Sequence, residues 1–132
     1  MRILLDTHAF LWLISDHENA SEVAKSHFVD PGNQLYLSAV SSFEIAVKYS
    51  LGKLELTSPP ELFVPNRLKA NALIPLEITV EQTLVLANLP FHHRDPFDRI
   101  LVSQAIVENL DLISGDQIFD LYLAEQSVTR IW

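Results

Sequence analysis

Residues 1–15, MRILLDTHAFLWLIS, place an unbroken apolar triplet, Ile3-Leu4-Leu5, directly before an acid and then a stretch that is apolar almost all round a helix. A strand with one wet face alternates apolar and polar side chains, whereas a strand covered on both faces need not. Ile3–Leu5 therefore reads as a strand buried on both sides, with a helix over Thr7–Ser15 behind it. Asp6 stands at the junction, at the carboxyl edge of the strand and the amino end of the helix.

The same rhythm continues outward. A helix over Glu22–Val29 is closed by the turn residues Asp30-Pro31-Gly32-Asn33. Gln34–Leu37 reads as a strand, followed by a helix to Leu51 that either Ser38 or Ser41 can cap, with Gly52 just past its end. Ser58-Pro59-Pro60 opens a helix to about Asn71, Ala72–Ile74 is a strand, and Val80–Asn88 is helical up to Leu89-Pro90. Pro96 starts a helix reaching Glu108, Leu110–Ile113 is a strand, Gln117–Glu125 is short and helical or irregular, and Val128–Ile131 is the last strand. Strands separated by helices imply an α/β fold with a mainly parallel sheet and helices on both faces. Ligands of such folds gather beyond the carboxyl ends of the strands.

A chain of 132 residues that is 48% hydrophobic has the size of one domain with an ordinary core. The absence of cysteine excludes disulfides and thiolate metal sites and fits a reducing cytosol. The apolar run Ala9–Ile14 is too short to cross a bilayer, and Met1-Arg2 runs straight into a strand, so the expectation is a cytoplasmic protein without membrane span or signal peptide. The net charge of −8, from 17 acids and 9 bases, opposes a nucleic-acid partner unless some acids serve a cation.

Four acids are candidates for that role. Asp6 and Asp116 follow strands, and Glu44 and Asp98 lie near helix starts. Taken singly, each has an ordinary use: Asp6 as a helix cap, Glu44 in a capping box with Ser41, Asp98 beside the helix dipole and Asp116 in a Gly-Asp turn. Glu44 also shares the helical spacing of Val40, Phe43, Val47 and Leu51, which points it at the core, where a lone carboxylate costs several kcal/mol. Together the four can converge on one sheet edge. Such a cluster repels itself unless a cation neutralises it, and an all-oxygen set selects Mg²⁺ or Mn²⁺. A hard ion of this kind binds phosphates and activates water, which suits phosphodiester hydrolysis.

The ordered motifs Leu4-Leu5-Asp6-Thr7-His8, Ser42-Phe43-Glu44-Ile45, Asp95-Pro96-Phe97-Asp98-Arg99 and Ile113-Ser114-Gly115-Asp116 resemble those of PIN-domain ribonucleases, above all the VapC toxins of bacterial type II toxin–antitoxin systems. The resemblance covers essentially the whole chain. It implies a three-layer α/β/α sandwich with a five-stranded sheet, Mg²⁺-dependent endoribonuclease activity on RNA, inhibition by a cognate antitoxin and frequent homodimers. It further implies metal coordination and catalysis by Asp6, Glu44, Asp98 and Asp116, with Asp95 left as the helix cap. Thr7, Ser114 and Asp95 would support the ligands from outside. Arg94, Arg99 and Lys48 are candidate RNA phosphate contacts, against an equal case for plain surface bases. His8 and the pair His92-His93 are weaker acid–base or metal candidates, because neighbouring loop histidines tend to point apart. Two rival readings remain, an acidic-cleft protein-interaction module and a phosphate-monoester hydrolase. The latter usually wants Asp-x-Asp where this chain has Asp6-Thr7-His8.

Overall fold

A computed structural model describes all 132 residues. Five parallel strands, β1 (Arg2–Leu5), β2 (Gln34–Ser38), β3 (Ile74–Leu76), β4 (Asp111–Ile113) and β5 (Arg130–Ile131), form one sheet in the order β3-β2-β1-β4-β5. The helices are α1 (Thr7–Ile14), α2 (Glu22–Val29), α3 (Ala39–Ser50), α4 (Pro60–Ala70), α5 (Val80–Val85), α6 (Pro96–Glu108) and α7 (Ile118–Leu123).

The central strand explains the three layers. Ile3 and Leu5 pack with Phe10, Leu13, Ala24 and Phe63 on one face, while Leu4 packs with Leu101, Val102, Phe119 and Leu123 on the other. Ile3, Leu4 and Leu5 are all fully buried, which is why the triplet does not alternate. The chain builds β2 and β3 on one side of β1 and then returns to add β4 and β5 on the other. This reversal opens a crevice at the carboxyl ends of β1 and β4. A hydrogen bond from Asp6 N–H to the Ile113 carbonyl, 3.0 Å, carries the pairing of these strands one residue into it.

Several boundaries differ from the sequence reading. The third strand spans Ile74–Leu76 rather than Ala72–Ile74, because Ala72 sits at φ +53° in the turn that closes α4. Pro75 is tolerated there because β3 is an edge strand. The helix expected to Asn88 stops at Val85 and tightens into a 3-10 turn over Leu86–Asn88. Only Arg130–Ile131 of the last strand pairs, although Val128 is buried. The apolar stripe of α3 is also shifted: Val40, Ser41, Glu44 and Ile45 are buried, while Phe43 and Leu51 are 58% and 61% exposed.

Candidate active site

Each acid is carried to the crevice by a different piece of local structure. Asp6 is the N-cap of α1, with extended backbone and Oδ1 accepting from Ala9 N–H at 2.6 Å. Ser38 caps α3 through Val40 N–H, so the helix starts early and Glu44 falls in its second turn, 2% exposed. Ser41 makes no capping box; its hydroxyl accepts from the buried Thr7 hydroxyl at 2.9 Å, tying α1 to α3. Asp95 caps α6 through Phe97 N–H, Pro96 takes the first helical position and Asp98 lies in the first turn. Asp116 follows β4, and its Oδ1 accepts from Ile118 N–H at the start of α7.

The charges of these acids act on one another. Burial pushes the Asp6 carboxyl above the usual carboxylate range; hydrogen bonds from Ser114 and Ala9 and the nearby His8 oppose the shift, and Glu44 adds to it. Asp98 is pushed up to about 8, first by burial and then by the charges of Asp95, Asp6, Glu44 and Asp116. Glu44 is compensated on one side only. Lys48, one turn along α3, holds Oε2 at 2.7 Å, while the buried Oε1 has no hydrogen-bond partner. An orphaned buried carboxylate oxygen costs stability unless something else meets it. Crowded acids and a missing partner fit a hard divalent cation held by oxygens.

His93 enters this group although no local pattern distinguishes it from His92. Its Nε2 lies 3.1 Å from both Asp98 Oδ2 and Asp116 Oδ2, and the three ligand-capable atoms lie within 4.8 Å of one another. Its Nδ1 is 3.0 Å from Asp95 N. A backbone N–H can only donate, so Nδ1 accepts and the ring proton sits on Nε2, directed at the two carboxylates. His93 is therefore a donor bridging two acids rather than a free nitrogen ligand. Its backbone N–H donates to the Tyr122 hydroxyl at 2.8 Å, whereas the His92 ring turns away and packs edge-on against Tyr122.

The three bases divide. Arg99 is only 4% exposed, and its guanidinium donates to the carbonyls of Pro90, Leu86 and Leu89 and to the Tyr122 hydroxyl. It braces the loop that carries His93, which corrects the expectation of an RNA phosphate contact. Lys48 is engaged with Glu44, so its charge serves the site rather than an open rim. Arg94 is exposed beside His93 and remains available to a phosphate. Ser114 links two acids, accepting from Asp116 N–H and bonding to Asp6. The exposed His8 has its ring 5.8 Å from Trp12.

Comparisons with known proteins bear on the family and the fold. The PIN domain family profile matches residues 3–122. The sequence is 41% identical over 49 residues to Ribonuclease VapC16 of Mycobacterium tuberculosis; the match spans 37% of this chain and about a third (35%) of that relative's length. The fold resembles a chain in the crystal structure of VapBC2 from Rickettsia felis bound to a promoter DNA fragment, with a TM-score of 0.72 at 16% identity over 100% of both chains. It also resembles the DNA-bound VapBC from Salmonella typhimurium (TM-score 0.68, 16% identity, 98% and 96% of the two chains) and FitAcB from Neisseria gonorrhoeae (0.62, 17%, 97% and 95%).

Proposed function

The chain belongs to the PIN-domain family, and from that premise we propose that it is a Mg²⁺-dependent endoribonuclease of the VapC kind, a toxin of a type II toxin–antitoxin system. What supports this reading is the crowding of acids about Asp98, which burial raises first and the charges of Asp95, Asp6, Glu44 and Asp116 raise further. No helix is long and apolar enough to cross a membrane. A cytoplasmic location, a cognate antitoxin and a homodimer belong to the same proposal, and Mn²⁺ can stand in for Mg²⁺ on the same oxygens.

Asp6, Glu44 and Asp98 would hold the ion. Glu44 and Asp98 each have one oxygen fixed by a donor, Lys48 or His93, which aims the other. Asp116 accepts at both oxygens, from Ile118 and His93, so it fits a supporting place reached through water. A bound Mg²⁺ would supply charge neutralisation at the scissile phosphate and activation of a water. Thr7, Ser41 and Ser114 keep the acid-bearing elements in register, and Arg94 offers a positive charge to the strand. Hydrolysis then adds water across the phosphodiester, leaving a 5′-phosphate and a 3′-hydroxyl.

The test is cleavage of single-stranded RNA by wild type, Asp6→Asn and Asp98→Asn, with Mg²⁺ and with EDTA. Removing an outer partner of a metal site costs about 10–100-fold, so losing a carboxylate that holds the ion should cost at least roughly 100-fold, and EDTA should abolish cleavage. Undiminished cleavage in all three arms would discard the proposal.

A further inference from the structure

Trp12 and Trp132, the two tryptophans of the chain, stand beside the acids although phosphodiester hydrolysis has no use for an indole. Their rings lie 5.9 Å apart with planes inclined at 53°. Together with Asp6, Asp116 and Asn19 they border a cavity of about 410 Å³, within the roughly 300–1,000 Å³ of small-ligand sites. Trp132 is seated on the backbone between two acid-linked residues. A Cβ built on Gly115 would come within 3.1 Å of its ring, so glycine is what lets the indole lie there. Trp12 is carried by α1 six residues beyond the Asp6 cap, with the His17 ring stacked at 6.0 Å.

We infer that Trp12 and Trp132 form a stacking subsite for the nucleobase flanking the scissile phosphate. The inference rests on the nuclease reading and deepens it by naming how the strand is held. A phosphate placed at the carboxylates has its own base within reach of the adjoining cavity, and stacking on an aromatic face accepts any base. An apolar side chain from a protein partner would gain nothing from the two carboxylates in the wall. Asn19, on the rim, offers a hydrogen-bonding group to a base edge.

Because the indoles are the chain's two tryptophans, intrinsic fluorescence reads the subsite directly. Adding a short single-stranded oligoribonucleotide to the Asp98→Asn protein should quench it, and the same strand made abasic beside the cleavage position should quench far less. In steady-state cleavage, Trp12→Leu should raise KM about ten-fold at unchanged kcat, and Trp12→Phe should retain most of the affinity. Wild-type cleavage with no quenching, and equal KM for the Leu and Phe variants, would overturn the subsite and leave the nuclease standing. Quenching by an abasic strand equal to that by the intact one would also overturn it. Failure of the wild type to cleave at all would remove the nuclease reading and the inference with it. The fluorescence arm uses both native indoles, so it holds even if Trp12→Leu folds poorly.

Discussion

Asp6 and Glu44 are almost wholly buried, while the side chains of Asp98 and Asp116 keep 21% and 37% of their exposure. The buried half is built mainly by regular structure, a strand end, a helix cap and an ammonium one turn along the same helix, with Ser114 and the Thr7–Ser41 pair joining its elements. The open half is organised by a loop. His93 joins its two acids, and the loop is fastened through the Tyr122 hydroxyl and the Arg99 guanidinium. One half therefore takes its partial compensation from within its own helices, and the other depends on a loop fastened by residues distant in sequence. An ion shared between them would leave the buried half nearly unchanged and act mainly on the open one. Each substitution below changes a side chain of one half and leaves those of the other in place.

The largest effect should come from the open half. The Asp98 value lies at about 8 in the fold against 3.8 unperturbed, so folding favours the protonated acid. That stabilisation is complete below pH of about 4 and is lost as pH climbs through about 8. Without divalent ions, wild-type stability should thus decline from pH 5 to pH 8, and Asp98→Asn should flatten the decline. At pH 8 the variant should be the more stable by up to several kcal/mol. Urea denaturation in EDTA at the two pH values measures this. Parallel wild-type and variant profiles would show that the acids do not crowd Asp98.

The buried half should answer to Lys48. Lys48→Met leaves the Glu44 carboxylate without its ammonium and should cost about 2–3 kcal/mol, below the full value for a buried pair because Lys48 is itself part exposed. Millimolar Mg²⁺ should recover much of that loss, since an ion binding only the folded state adds stability and meets the same carboxylate. Melting temperatures of both proteins with and without Mg²⁺ give the comparison. A deficit that Mg²⁺ leaves untouched would separate Glu44 from the ion.

The buried half was also the more legible one in the sequence. Ile3–Leu5 gave the central strand because three adjacent apolar residues leave no wet face, and Ser38 was already available as the early cap that turns Glu44 inward. The stripe that argued for Glu44 was partly wrong, since Phe43 and Leu51 point outward, yet the position survives because Val40 and Glu44 are one turn apart. In the open half, Asp98 could be told from Asp95 by the cap chemistry of Asp95-Pro96 and by family resemblance. What could not be read was the loop. Whether His92 or His93 faces the acids depends on a hydrogen bond to Tyr122, 29 residues away, and no local pattern encodes it. Arg99 looked like a surface base for the same reason: the carbonyls that bury it become acceptors only once the 3-10 turn has ended the helix before it.

The smallest of these effects, and the sharpest for the comparison, concerns His93. With its proton on Nε2 the imidazole draws Asp98 and Asp116 together without occupying a ligand position. His93→Ala should then weaken Mg²⁺ binding about ten-fold, the usual cost of losing an outer hydrogen bond at a metal site. His93→Gln should restore part of it, because an amide N–H can donate where the ring did. Calorimetric titration of Mg²⁺ into the metal-free proteins distinguishes the cases. Tighter binding by the Ala variant would mean that the imidazole competes with the ion for the two carboxylates and has to leave before the open half can close on its metal.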